Sequence, residues 1–552
     1  MPGLGIAARL LPMQQISSMA PLPLSLARLS AGLPGSSGRW LLPVAIALSQ
    51  VACAQTPAAP SSDPTPTPIP LAQPVAGAPQ APASVAPVAA APAALAAPAN
   101  AWPAGRLPAE VEAALQRGKV ASDAVSVVVM DVSGAQRPLL DVHSDVGRNP
   151  ASVMKLVTTY AALEILGPAY TWDTRIATDG QVAQGALNGN LYVQGSGDPK
   201  LVMERLWLLQ RRLLGQGIQV VVGDVVLDRS AFALPPIDPA RFDNEPYRPY
   251  NAVPDALLLN YKSLTMRFIP DAAAGVARIA YEPAVAHLRL PSTVPLLKTK
   301  GNACGDWRGA LKAQMADATQ IQFLGGYPAA CGENSWAVAP AAPDRFAPRV
   351  FEGMWRELGG KVTGQVRMGT TPDGVQPLMS FSSPTLGEVV RDINKYSNNV
   401  MTQQVFLTLG KERAGIGTFE GGRQAVAQWW SERVPGMAQP TIDNGAGLSR
   451  DARITAGSLA KMLSVAWNSN VMPELMASMP IVGVDGTMKN SKSAHTGGAH
   501  LKTGTLRDAS AIAGYVNGRD GRRWVVVAMA NSDNAPQARP AWDALIDWVA
   551  AQ

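Results

Sequence analysis

A chain of 552 residues that is 47 % hydrophobic and only 16 % charged can bury large cores, which excludes wholesale disorder. At roughly 150 residues per domain its length predicts three or four domains. Its 47 basic and 41 acidic side chains leave +6, and three of the basic ones, Arg9, Arg28 and Arg39, lie within residues 1–54, which hold no acid. With no basic run, zinc-finger spacing or leucine heptad, nothing marks nucleic acid as a partner.

At the amino end, Arg39 precedes an apolar stretch, 40–48, that is too short to span a bilayer and leads to Ala52-Cys53-Ala54. This predicts a signal peptide over 1–54 and export to the periplasm or cell envelope. A second reading makes Cys53 an acylated first residue, with peripheral membrane association. Residues 55–104 are expected to be an Ala/Pro-rich disordered linker, with 14 Ala, 10 Pro and the single charge Asp63 between 61 and 100. Prolines favour extended conformations, so the segment reads as a spacing tether or as an inert leader.

The folded part begins with strands over 125–132 and 139–143, joined around Ser133-Gly134, and a helix over 151–166 with Pro150 in its first turn and Gly167-Pro168 as its stop. Within 173–373 the pattern changes to strands over 191–193, 220–227 and 264–269 with one clear helix, 201–214. A segment that long needs its own core. Cys304 and Cys331 are left as an even pair once Cys53 departs with the signal; in an oxidising compartment they are read as a bridge, with two buried thiols as the alternative. Helical patterns over 386–395 and 400–409 follow, then strands over 510–516 and 523–530 about an Asn517-Gly518 turn, and a final helix over 540–549. Strands at both ends with helices between predict one α/β domain, 105–172 plus 374–552, interrupted by 173–373.

Three short motifs carry chemistry. Ser152-Val153-Met154-Lys155 places a hydroxyl and an amine at i and i+3, close enough to share a hydrogen bond, with the serine among the unpaired N–H groups of a first helical turn. A lysine in a water-poor cleft is driven neutral and accepts the serine proton. The pair is weak evidence alone, since the chain has 14 lysines and Ser458-Leu459-Ala460-Lys461 is a second instance. Lys502-Thr503-Gly504 occurs once and leads into a strand, where an extended edge offers backbone groups to a peptide while Lys502, Thr503 and Thr505 meet a carboxylate. Gly504 is read as room for the ligand backbone. Ser397-Asn398-Asn399, between two helices, points a hydroxyl and an amide into a cleft; Ser532-Asp533-Asn534 is its rival, and both also read as plain polar turns.

In that order, SVMK at 152–155, SNN at 397–399 and KTG at 502–504 resemble the active-site serine penicillin-binding proteins and serine β-lactamases. The 245 residues separating Ser152 from Ser397 make the chain similar to the low-molecular-mass class C group, the D-alanyl-D-alanine carboxypeptidase/endopeptidases. GSGDP at 195–199, PYRPYNA at 246–252, NGAGLSR at 444–450 and GVDGTM at 483–488 also read like that group. The resemblance covers about 105–552. It implies a transpeptidase/β-lactamase-like α/β (α+β) fold, an antiparallel sheet with helices on both faces, interrupted by a mainly β insertion of one or two domains. It favours Ser397 and Asn399 over the rival triplet and makes Ser458 and Lys461 a decoy.

By position, Ser152 resembles the acylated nucleophile and Lys155 its base, Ser397 and Asn399 the proton relay and amide holder, and Lys502 the residue completing the charge network. Thr503 and Thr505 resemble the carboxylate binders, with backbone N–H groups of Ser152 and Thr505 as oxyanion hole, worth on the order of 3 kcal/mol per donor. Arg450 and Asp243 are candidates for the free end of a diaminopimelate-type side chain. The implied substrates are peptidoglycan stem peptides and cross-bridges, with β-lactams as inhibitors and neither cofactor nor metal. His143, His287, His495 and His500 fit no triad, and His495 and His500 have no ligand cluster nearby. The rival functions are a β-lactamase or esterase on this scaffold, which the insertion argues against, and a non-catalytic wall-binding protein, which the intact motifs argue against.

Overall fold

The computed structural model describes residues 102, 105–134, 136–298 and 304–552; the expected signal peptide and almost all of the expected linker lie outside them. Strands Val125–Asp131 (β1), Leu140–Val142 (β2), Ala499–Leu506 (β3), Ala509–Asn517 (β4) and Arg523–Asn531 (β5) form an antiparallel sheet in the order β2-β1-β5-β4-β3. Helices Ala109–Arg117 (α1), Lys155–Leu166 (α2), Leu386–Tyr396 (α3), Asn399–Ala414 (α4), Ala456–Trp467 (α5) and Arg539–Ala550 (α6) surround it.

The apolar runs of β1 and β5 follow from this sandwiching. Val127 and Val129 share a core with α1 and α6, while their neighbours Val128 and Met130 share the opposite core with α2 and α5. A strand buried on both faces has no position for an alternating polar residue, and β-branched side chains pack well on a pleated surface. β3 is an edge strand.

The interruption returns close to where it leaves. Strand Asp173–Thr178 pairs antiparallel with Gln376–Ser382, Asp173 opposite Ser382, so entry and exit lie side by side and the parent fold need not distort to admit the insertion. The strand 376–382, outside the insertion on the expected boundary at 373, is thus part of the inserted sheet. That sheet has the order Val366–Gly369, Val225–Asp228, Leu191–Gln194, Asp173–Thr178, Gln376–Ser382. Its parallel neighbours Leu191–Gln194 and Val225–Asp228 are bridged by the crossover helix Met203–Gly215, as parallel pairing requires. A further five-stranded sheet is built around the pair Leu264–Asp271 and Val276–Glu282.

The single strand expected over 220–227 is two strands in two sheets, Val220–Val221 and Val225–Asp228. Gly223 makes the break: a Cβ there would stand 2.6 Å from the Gly189 carbonyl, so the chain passes closer than any side chain permits.

Cys304 and Cys331 are bridged across 27 residues. Closing such a loop is worth about 3–4 kcal/mol on the chain-entropy model. Replacing both with serine should lower the urea midpoint of unfolding correspondingly, and a midpoint equal to that of the unaltered protein would refute the stabilising role. Among the described residues no helix is long and apolar enough to cross a membrane.

Candidate active site

Ser152 sits in a tight turn held from two sides. The helix expected over 151–166 begins as a 3₁₀ turn, Ala151–Met154, and becomes α-helical only at Lys155. In a 3₁₀ turn side chains at i and i+3 nearly eclipse, which brings the Lys155 Nζ 3.0 Å from the Ser152 Oγ. Ala151 has φ +47°, a left-handed conformation unusual for alanine. The surroundings impose it: Asn149 Oδ1 accepts from the Ala151 N–H, Asn149 Nδ2 donates to Ser449 O, and the Asn531 side-chain oxygen accepts from the Asn149 N–H.

Two glycines clamp this turn. A Cβ on Gly504 would lie 2.4 Å from Pro150 O and 2.9 Å from Ser152 N; one on Gly447 would lie 1.9 Å from Ala151 O. Gly504 is therefore needed for the approach of the protein's own backbone, rather than for that of a ligand.

Lys155 is fully buried. Besides Ser152 it donates to Asn399 Oδ1 at 2.7 Å and to Ala446 O at 2.6 Å. Asn399, the first residue of α4, is set by Asn398, whose side chain caps that helix by accepting from Met401 N–H at 3.1 Å. The Asn399 amide nitrogen in turn donates to Tyr250 O, on a long loop of the insertion.

Across from this group stands Lys502, also fully buried, donating to Ser397 Oγ at 2.9 Å and Thr503 O at 2.6 Å. Ser397 ends α3 in a left-handed conformation, φ 56° and ψ 39°, which turns its hydroxyl toward β3. Burial, and next the nearby Lys502 charge, hold the Lys155 amine well below the usual lysine range. Burial pushes Lys502 down to about 7. Two amines with no carboxylate bonded to either cannot both stay charged cheaply in such a place.

Ser152, Ser397, Thr503, Gly504 and Thr505 line one cleft of about 400 Å³. A short segment bonds to the outer edge of β3 through Leu501 N–H to Pro480 O and the bridge Ile481–His500. Beyond it, among the described residues, no strand pairs with the outer side of 502–506. The arrangement offers a hydroxyl beside an amine whose pKa burial lowers, a second buried amine beside threonine hydroxyls, and a strand edge with room for an extended peptide.

Asp243 and Arg450 stand outside this group and do not pair with each other. Asp243 accepts from Tyr250 OH at 2.8 Å and Asn251 Nδ2 at 2.7 Å, holding its own loop. Arg450 pairs with Asp508 at 2.8 Å and lies 4.5 Å over the ring of Phe242, beside Asp243 in sequence.

The decoys are accounted for locally. Ser458 serves the N-terminus of α5, its hydroxyl accepting from Thr455 at 2.8 Å. In the rival triplet, Asn534 donates to Lys119 O. His500 lies in β3 with its ring half-buried, and His143 shares a hydrogen bond with Val125 O. Sequence reasoning missed the Ala446 carbonyl, because a backbone acceptor leaves no residue-type signature. It also missed Thr487, which accepts from the Thr503 hydroxyl at 2.7 Å although it stands within the quoted 483–488 stretch.

Comparison with known proteins gives a consistent result. The D-Ala-D-Ala carboxypeptidase 3 (S13) family matches residues 107–552. A D-alanyl-D-alanine carboxypeptidase of Actinomadura sp. is 28 % identical over 457 residues, 78 % of this chain and 82 % of that protein. The D-alanyl-D-alanine carboxypeptidase DacB of Haemophilus influenzae is 23 % identical over 393 residues, 69 % of this chain and 80 % of the relative. The crystal structure of penicillin binding protein 4 from Haemophilus influenzae shares the fold, with TM-score 0.64 and 23 % identity over 80 % of this chain and all of that one.

Proposed function

Because the chain belongs to the D-Ala-D-Ala carboxypeptidase 3 (S13) family, a family of serine hydrolases acting on peptidoglycan, we propose that Ser152 is its nucleophile and that the contacts of Lys155 make it one. The Lys155 Nζ, 3.0 Å from Ser152 Oγ, carries the reading. Held neutral, this amine takes the serine proton as Oγ attacks the carbonyl of the penultimate D-alanine. The Ser152 and Thr505 N–H groups receive the developing oxyanion. Ser397 accepts from Lys502 through its oxygen, so its own proton passes to the departing amine of the terminal D-alanine and is replaced by the proton that Lys155 took from Ser152. Water then attacks the ester, returns a proton to the serine and releases the shortened peptide.

Substrate binding follows from the same parts. The terminal carboxylate meets charged Lys502 with Thr503 and Thr505, and the stem peptide lies as an added strand along the outer edge of β3. A cross-bridge offers the same bond after a D-alanine, so endopeptidase cleavage runs through the same acyl-serine. Arg450 and Asp243, though outside the catalytic group, are the candidates for meeting the side chain of the peptide's third residue, and the work place is the periplasm.

The test is digestion of purified muropeptides with products resolved by mass, together with peptide mapping after benzylpenicillin treatment. Release of the terminal D-alanine and a penicilloyl adduct on the peptide containing Ser152 are expected. No adduct, or one on a peptide lacking Ser152, sinks the assignment. Nitrocefin should give a stoichiometric burst; sustained turnover would favour a β-lactamase instead.

The two lysines set opposite limbs of a pH profile. Acylation needs neutral Lys155, so kcat/KM falls as acid protonates it; carboxylate binding needs charged Lys502, so kcat/KM also falls above about 7. A bound carboxylate favours the Lys502 charge and moves the alkaline limb of kcat to higher pH than that of kcat/KM. Identical alkaline limbs would contradict the carboxylate role. Folding stability should rise with pH between about 7 and 10.5, where unfolded lysine still holds the proton that folded Lys502 has released.

A further inference from the structure

Residues 480–488 have no part in the steps above, yet they touch both flanks of the site. The segment first joins β3: Leu501 N–H donates to Pro480 O at 2.9 Å and Val482 N–H to Ala499 O at 3.0 Å, so it extends the sheet edge and stops just short of Lys502. It then reverses in a turn closed by Asp485, whose Oδ1 accepts from Ile481 N–H at 2.8 Å. The reversal aims the other carboxylate oxygen at Lys395 Nζ, 2.6 Å away.

Lys395 stands two residues before Ser397, and its side chain is only 5 % exposed. Next, Gly486 has φ +53° and lies so near the end of α3 that a Cβ would meet Lys395 O at 2.6 Å. Finally Thr487 accepts from the Thr503 hydroxyl at 2.7 Å, one residue past Lys502. One continuous stretch thus bonds to Lys395, two residues before Ser397, to Leu501, just before Lys502, and to Thr503, just after it on β3. The contact needs such support, since Ser397 is a non-glycine residue in left-handed conformation and such residues persist only where their surroundings over-determine them.

We propose that residues 480–488 are a strap in which Asp485, through Lys395, and Thr487, through Thr503, act as positioning residues that hold the Ser397 hydroxyl at the Lys502 amine. Asp485 bonds to Lys395 rather than to the reacting groups, and Thr487, which lines the cleft, is bonded to Thr503. Their effect is on the geometry of the relay, and small misplacements there are costly: a shift of about 1 Å can lower a rate on the order of 100-fold. The catalytic part of this inference rests on the acyl-serine reading given above.

The experiment is stopped-flow acylation by benzylpenicillin of the unaltered protein and of Asp485→Asn, Thr487→Val and Thr487→Ser, with hydrogen–deuterium exchange and melting temperature measured on each. Asp485→Asn should lower the saturating acylation rate constant by about 100-fold and Thr487→Val by about tenfold, with the half-saturating concentration little changed. Thr487→Ser, which keeps the hydroxyl, should restore the rate. Amide exchange should quicken at 395–400 and 499–506 while the melting temperature stays near that of the unaltered chain. Unaltered rates, or unaltered exchange in both segments, overturn the strap. If Asp485→Asn fails to fold, the valine and serine variants at 487 decide alone: equal rates in the two overturn it. If the unaltered protein is not acylated, the acyl-serine reading falls, and exchange in the two segments still decides whether 480–488 holds them.

Discussion

Ser152→Ala and Lys155→Ala should each lower kcat/KM for D-alanine release by on the order of 10⁴-fold or more, and the double variant should be no worse than the more damaged single one. The expectation follows from how the two groups are joined. The hydroxyl alone is a weak nucleophile at neutral pH, and the amine 3.0 Å away has no other reacting proton to take. They act as one unit, so removing either removes the acylation step. What survives is the contribution of the oxyanion donors and of binding, which both variants retain. Ser152→Ala leaves a fully buried lysine still bonded to Asn399 and Ala446, and the fold should stand. Lys155→Ala removes the donor that satisfies those two acceptors, so it should also cost stability. Measured kcat/KM and melting temperatures check both; multiplicative losses in the double variant would show that the two residues act independently.

Gly504→Ala should be nearly as damaging to acylation by another route. The added methyl would stand 2.4 Å from Pro150 O, 2.9 Å from Ser152 N and 3.0 Å from Val153 N, all backbone atoms that no rotamer change can move aside. Either β3 or the 3₁₀ turn must shift. Overpacking of that kind typically costs about 1–3 kcal/mol of stability. The rate loss should be larger in proportion, about 100-fold or more, because the displaced atoms include the nucleophile and an expected oxyanion donor. Benzylpenicillin acylation compared with the melting temperature is the check. A variant acylated at the unaltered rate would mean that the turn tolerates the methyl and that the clamp is not needed.

The legible parts of this protein were those in which residue type is itself the requirement. A serine and a lysine three apart, a lone lysine-threonine-glycine before a strand, and the helical patterns over 386–395 and 400–409 could be read because chemistry or backbone geometry demands those side chains. The apolar runs of β1 and β5 could be read for the same reason, being what a strand covered on both faces must contain. Less legible were features set by backbone or by proximity. The Ala446 carbonyl that holds Lys155 could belong to any residue. Gly223 splits an apolar stretch between two sheets because of where Gly189 happens to lie. Gly504 was readable as a close approach, but which chain approaches is not written locally.

By itself, then, the order of residues determined the chemical inventory: a hydroxyl with an amine one turn on, a second hydroxyl with an amide, a lysine followed by threonines, and a family likeness that arranged them. Only the folded chain decided their distances: Lys155 to Asn399 at 2.7 Å across 244 residues, and Lys502 to Ser397 at 2.9 Å across 105. The reason is physical. Side-chain identity and short-range spacing are local properties, whereas the burial that lowers a lysine's pKa and the open strand edge beside it arise only when distant segments pack together and exclude water.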